Sequence, residues 1–189
     1  AASSVPVING LTDLSHPCQI LADIMTIEEW RGPIEGKTIA WLGDGNNVCM
    51  SFVHAAEKLP FMLRIATPPD YAPRRQEIEA AQKAGAQVRV TNDPHAAISG
   101  ADVVITDTWV SMGDTDKDQR MKAFPPYAVD EVIMQRAAPD AIFLHCLPAH
   151  RGEEVMDAVM DAPNSAVWDE AENRIHAQKA VMLWCLGKI

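Results

Sequence analysis

Short apolar runs, each closed by a glycine or polar turn and followed by a stretch of helical period, recur along this chain and leave it few possible folds. Lys37-Thr38-Ile39-Ala40-Trp41-Leu42 reads as a strand, Gly43-Asp44-Gly45-Asn46-Asn47 as the turn after it, and Val48 to about Lys58 as a helix. That is the first half of a βαβ unit. Phe61 to Ala66 is the next strand, ended by Pro68-Pro69. A charged helix from Pro73 closes on Gly85, a usual helix-ending residue. Gln87 to Thr91 reads as an edge strand, and Asp93 caps a short helix to Ser99. Asp102 to Thr106 is an apolar strand; residues 116–123 and 130–138 are helical. Ala141 to Leu144 is a strand, Glu153 to Met160 a helix, and Ala166-Val167-Trp168 a short strand. The last helix runs to about Leu186 with Ala177, Ala180, Val181 and Trp184 on one face. Six or so strands alternating with helices specify the α/β class: a doubly wound, Rossmann-like parallel sheet with helices on both faces.

The first part of the chain is less regular. Val5 to Gly10 reads as a short strand and turn. Asp13 or Ser15 is placed to cap a helix from His16 to Trp30, with Ile20, Leu21, Ile24 and Ile27 at helical spacing and Pro17 near the first helical position. Gly32-Pro33-Ile34-Glu35-Gly36 breaks that helix, so 31–37 is the one candidate boundary. A chain of 189 residues buries a real core and fits one domain, two at most.

Charge and cysteine usage exclude several roles. The formal net charge is -10, and no run of Lys and Arg interrupts it. Nucleic acid and anionic membranes are therefore poor partners. Cys18, Cys49, Cys146 and Cys185 are widely spaced with no CxxC pair, which argues against a zinc knuckle or disulfide framework and for a reducing compartment. No apolar run is long enough for a membrane helix. Ala1-Ala2-Ser3-Ser4 lacks the basic and apolar regions of a signal peptide, and the chain lacks an initiator Met. A cytoplasmic protein is expected, seen here as a fragment or a processed product.

The chemistry gathers where strands end, the edge at which open α/β sheets bind ligands. Ala141 to Leu144 runs into His145-Cys146-Leu147-Pro148, with His150 beyond. This is either a site edge or a strand end holding a buried, inert Cys. The set His145, Cys146 and His150 lacks a second ligand pair, so no metal is expected. Asp107, Ser111 and Gly113 follow another strand; a solvated strand end and a loop are the alternatives. The turn Gly43 to Asn47 lacks the third glycine of a dinucleotide fingerprint. Asn46 and Asn47 there offer amides to a small zwitterion, or merely tolerate turn geometry. His16, Cys18 and Gln19 lie in a first helical turn, where free N–H groups favour an anion. Arg174 reads as part of the first turn of the last helix, unfavourable for the dipole, and so reaches for a ligand or stays solvated.

Together, His16-Pro17-Cys18-Gln19, Gly43-Asp44-Gly45-Asn46-Asn47, Asp107-Thr108-Trp109-Val110-Ser111-Met112-Gly113, His145-Cys146-Leu147-Pro148 and Glu172-Asn173-Arg174 have the order and spacing of ornithine carbamoyltransferases. All 189 residues resemble the second half of such an enzyme. The resemblance implies that residues 1–31 are an interdomain strand and linking helix carrying His16 and Gln19. It implies an ornithine-binding domain with a C-terminal linking helix over 32–189. The family's carbamoyl-phosphate domain, with its Ser-x-x-Arg-Thr loop, has no counterpart here, so the chain is expected to be inactive alone.

The implied reaction is attack by ornithine's δ-amine on carbamoyl phosphate, giving citrulline and phosphate, a step of arginine biosynthesis. By resemblance, His16, Gln19, Cys146, Leu147 and Arg174 bind carbamoyl phosphate, and Asn47, Asp107, Ser111 and the Met112 backbone bind ornithine. Cys146, Asp107 and Arg174 are the implied catalytic residues. Cys146 would position or deprotonate the amine with Asp107, and a cis Leu147-Pro148 bond would aim the Leu147 carbonyl at the carbamoyl NH₂. No cofactor is implied, and the full-length family members are homotrimers. The Ser-Met-Gly loop supplies no extra cation, which favours ornithine over aspartate, and less strongly over acetylornithine or putrescine. The alternatives are a carbamoyltransferase for another amine, or a small-molecule or nucleotide-binding Rossmann module without catalysis.

Overall fold

The computed structural model describes residues 3–111 and 113–189. Among these residues five strands form one parallel sheet: β1 (Thr38–Leu42), β2 (Met62–Ala66), β3 (Gln87–Thr91), β4 (Val103–Thr106) and β5 (Ile142–His145). Their order is β3-β2-β1-β4-β5. The direction of winding reverses between β1 and β4, which opens a crevice at their carboxyl ends. The helices are α1 (Pro17–Arg31), α2 (Asn47–Ala56), α3 (Arg75–Lys83), α4 (Pro94–Ile98), α5 (Lys117–Ala123), α6 (Glu131–Met134), α7 (Asp157–Met160) and α8 (Val167–Cys185).

Alternation along each strand sends side chains into two cores. Ile39, Trp41, Leu63, Ile65, Val103, Ile105, Ile142 and Leu144 pack on α1, α2 and α3. Ala40, Leu42, Val104 and Phe143 pack on α4, α6 and α7. Both faces are covered, which is why these strands read as near-continuous apolar runs.

Several expectations are corrected. Val5 to Gly10 forms no strand; these residues are largely exposed and have no strand partner. The side chains of Asp13 and Ser15 do not cap α1, whose N-cap is His16; the Ser15 hydroxyl instead accepts from the Asn9 amide at 3.0 Å. Leu21 is exposed, while Gln19, Asp23 and Thr26 are buried. The reason is that α1 lies along α8, and that contact is polar: Asn173 donates to Thr26 and Glu29, and Trp30 to Asp169. The helix expected from Glu153 starts only at Asp157, because Val155 bridges to Val129 and Arg151. The helix expected over 130–138 is the short α6. Val167-Trp168 is not a strand but the start of α8; only Ser165 bridges to the sheet, at Phe143. Arg174 consequently lies about two turns into α8, not in its first turn.

The turn after β1 is held tightly. Gly45 N–H donates to the Tyr71 carbonyl at 2.9 Å. A Cβ on Gly45 would fall 2.4 Å from the Pro73 nitrogen and 2.7 Å from the Tyr71 carbonyl oxygen. Neither atom can swing aside, so Gly45→Ala is expected to lower stability by about 1–3 kcal/mol. Denaturant midpoints measure this; an unchanged midpoint would show that the turn moves freely.

Candidate functional site

The crevice between β1 and β4 is organised by Asp107, the first residue after β4. Its carboxylate accepts from the Asn46 amide at 2.7 Å, the Cys146 thiol at 3.1 Å and its neighbour Thr108 N–H at 2.7 Å. Three strand ends thus meet on one group: Asn46 after β1, Asp107 after β4 and Cys146 after β5. Asn46 also caps α2, its side-chain oxygen accepting from Val48 and Cys49 N–H at 3.0 Å. Burial, followed by the Asp107 charge, pushes the Cys146 thiol well up. It is a protonated donor to Asp107 rather than a thiolate.

The loop after β5 is fixed from behind by His145. Leu147 N–H donates to His145 Nδ1 at 2.9 Å, so the ring proton sits on Nε2, which faces Glu154 at 3.2 Å. Glu154 is fully buried and also accepts from His150 N–H at 2.5 Å. The Leu147-Pro148 bond is cis, and Leu147 has φ +55°. His145, Cys146 and His150 do not gather as one set. His145 and Cys146 lie with Asp107, and His150 lies with Glu153 and Glu154. Both ring nitrogens of His145 are already engaged by the protein.

A second group comes from α1 and α8. Gln19 is buried and its amide nitrogen donates to Asp23 at 2.7 Å and Glu170 at 2.9 Å. Its amide oxygen accepts from the Arg174 guanidinium. His16 is buried, with its N–H on the Ser51 hydroxyl at 2.7 Å. Its Nδ1 and the Nε of Arg174 are buried without a hydrogen-bond partner among the described residues. Burial, and then the Arg174 charge, lowers the His16 pKa, while Asp107 opposes the shift. His16 therefore lies within electrostatic reach of both groups.

The lowered His16 value has a consequence for stability. The unfolded chain takes up this proton more readily than the folded one. The contribution of His16 is therefore whole above the ordinary value of 6.5 and is lost as pH falls through the folded value. The raised acids Asp23 and Glu170 contribute with the opposite sign over the same range, so the His16 share of the melting-temperature slope between pH 5 and pH 7.5, a loss of stability towards pH 5, is read against a variant. His16→Gln should lose part of that slope; an identical slope in the variant would show that other groups carry it.

Arg120 holds the loop after β4. It contacts Asp44 at 2.6 Å and Asp116 at 2.8 Å, donates to the Trp109 carbonyl at 3.0 Å, and lies over the Tyr71 ring at 4.8 Å. Burial raises the Asp44 pKa, with Arg120 pulling against it. Ser111 is half-buried and its N–H donates to Asp114 at 2.7 Å; Met112 lies outside the described residues. Asn47 turns its amide to the Thr12 carbonyl at 2.7 Å, so it is Asn46 that meets Asp107.

The structure therefore joins Asp107 with Cys146, and Gln19 with Arg174. It leaves Asn47 and Ser111 on the crevice rim without a direct bond to Asp107. Sequence reasoning missed Asp23, Arg120, Glu154 and Glu170. For two of them a signal exists: Asp23 is four residues after Gln19 and Glu170 four before Arg174, one helical face each.

Comparison with known proteins fits this geometry. Residues 35–185 match the family model for the aspartate/ornithine carbamoyltransferase Asp/Orn binding domain, and residues 1–29 that for the carbamoyl-P binding domain. The chain is 65% identical over 187 residues to the ornithine carbamoyltransferase of Caulobacter vibrioides, covering 99% of this chain and 60% of that protein. The solved ornithine carbamoyltransferase of Pyrococcus furiosus superposes with a TM-score of 0.92 at 49% identity, over 99% of this chain and 61% of that one. That of Campylobacter jejuni, described as anabolic, gives 0.92 at 39% identity, over 99% and 64%. The chain thus spans about 60% of the length of the relatives it matches.

Proposed function

Because this chain belongs to the aspartate/ornithine carbamoyltransferase family, we propose that it is the acceptor-binding half of an enzyme transferring a carbamoyl group from carbamoyl phosphate to the δ-amine of ornithine. The observation that carries this reading is the carboxylate of Asp107 held by Asn46 and Cys146 at the strand ends, with the Arg174 guanidinium held on the buried Gln19 amide.

The amine must be neutral to attack, although free alkyl ammonium groups are mostly protonated near pH 7. Asp107 receives the ammonium and takes up its proton, with the neutral Cys146 thiol orienting the carboxylate. The amine nitrogen then bonds to the carbonyl carbon. Arg174 and His16 face the developing oxyanion, and Gln19 orients Arg174. The tetrahedral intermediate collapses, the bond from the carbonyl carbon to the phosphate oxygen breaks, and phosphate leaves with the electron pair and with the remaining extra proton of the attacking nitrogen. The Leu147 carbonyl accepts from the carbamoyl NH₂. Ser111, Asn47 and the Met112 backbone hold the α-amino and carboxylate ends of ornithine. No redox step or electron carrier enters this scheme, so no cofactor is needed.

In this reading residues 1–31 link the two domains and 32–189 form the ornithine domain. The phosphate-binding loop lies in the part of the relatives this chain does not span, and the complete enzyme is a cytoplasmic homotrimer of arginine biosynthesis. The test is citrulline formation from ornithine and carbamoyl phosphate by the full-length natural chain. Citrulline formed from ornithine, and not carbamoylaspartate from aspartate, supports the reading. A folded full-length protein that forms neither would overturn it.

A further inference from the structure

Behind Gln19 lie two acids that the transfer scheme does not use. Asp23, on α1, and Glu170, in the first turn of α8, are each 1% exposed. Both accept from the one amide nitrogen of Gln19, at 2.7 and 2.9 Å. With its NH₂ pinned between two acceptors, the amide can present only its oxygen to Arg174. The other oxygen of Glu170 accepts His145 N–H at 2.8 Å, so the same acid fixes the start of the Cys146 loop.

Resting on the carbamoyl-transfer reading, we propose that Asp23 and Glu170 are positioning residues: the pair locks the Gln19 amide in one orientation and through it aims Arg174 into the site. Nothing in a fold's stability requires two acids in contact inside a core. Buried carboxyls cost free energy unless fully hydrogen-bonded, and apolar side chains of similar volume would pack as well.

The pair shares a proton. Burial, followed by the neighbouring charge, pushes Glu170 well up, and burial brings Asp23 up to about 7. Glu170 then donates to Asp23, and the pair carries one negative charge. The charged groups facing it are Arg174 from α8 and Asp107 from the end of β4, and the neutral Cys146 thiol faces it from the end of β5. As pH rises and the shared proton leaves, two contacting anions repel and the clamp on Gln19 opens.

The experiment uses the full-length natural chain and reads kcat/KM for carbamoyl phosphate separately from KM for ornithine. Asp23→Ala is expected to lower the first by about 10- to 100-fold, the effect of freeing a buried donor, and to leave the second nearly unchanged. In a Gln19→Ala background the same substitution should cost no more than about twofold, the scatter of independent sites. Glu170→Gln has one acceptor oxygen where the acid has two, so its NH₂ must face either the Gln19 amide or the His145 N–H; it should lower kcat/KM for carbamoyl phosphate by about 10- to 100-fold and lose the alkaline decline of the wild type. A folded Asp23→Ala with unchanged kcat/KM would overturn the proposal. So would a full further loss in the Gln19→Ala background, since that marks a merely structural role. If Asp23→Ala does not fold, the Glu170→Gln profile decides alone: a decline unaltered from wild type overturns it. Wild type that makes no citrulline defeats the transfer reading itself, before any variant is compared.

Discussion

Asp107→Ala in the full-length chain is expected to lower citrulline formation by about 10²- to 10⁴-fold, the usual contribution of a positioned proton acceptor. The size follows from what this one carboxylate does. It accepts from the Asn46 amide at 2.7 Å and the Cys146 thiol at 3.1 Å, so its loss leaves two donors without their acceptor. Asn46 keeps its place, because its oxygen is already committed to capping α2. The Cys146 thiol has no such second anchor among the described hydrogen bonds. A drop in kcat larger than the change in KM for carbamoyl phosphate is therefore expected. Asp107→Asn should recover the amine-binding geometry but not the proton transfer, and stay close to the Ala variant in kcat. A folded Asp107→Ala within about tenfold of wild type would show that another group accepts the proton.

Phe143→Ala is expected to cost about 3–5 kcal/mol of folding stability. Phe143 is fully buried and sits on β5 among Val104, Ile133, Val159 and Val167. Its backbone is committed on both sides: β5 pairs with β4, and Phe143 exchanges hydrogen bonds with Asn164 and Ala166 at 3.0 and 2.9 Å. The strand cannot shift inward to fill the space, so a cavity stays. Urea unfolding monitored by tryptophan fluorescence measures the loss. Phe143→Leu, which keeps most of the volume, should lose under about 1.5 kcal/mol. Equal losses for the two variants would show that the aromatic ring, not the volume, is what the site requires. Cys146 lies three residues along the chain, just past the end of β5, so Phe143→Ala should also weaken activity at temperatures well below its melting point.

The sheet was legible in the sequence because both of its faces are covered. Strands buried on two sides read as apolar runs, and β1 to β5 each begin and end within a residue or so of the expected limits. The strand ends were legible too, since a parallel sheet puts them all on one edge, and Asp107 and Cys146 meet there. What failed were segments whose conformation is set by a distant neighbour. Val155 is drawn out of a helix by Val129, and Ala166 to Trp168 carry strand-forming residues but open α8. The apolar spacing expected for α1 misplaced Leu21, because the partner face on α8 is polar.

By itself, the sequence determined the α/β class, the five sheet strands in their order along the chain and which side chains stand at the carboxyl edge, because these depend on local period and turn chemistry. Only the tertiary structure decided that Asn46 rather than Asn47 meets Asp107, that the Cys146 thiol is protonated, and that Asp23 and Glu170 grip Gln19 from behind Arg174. Those facts rest on burial and on contacts between residues up to 155 positions apart, as Gln19 is from Arg174, and neither is written in any local stretch of the chain.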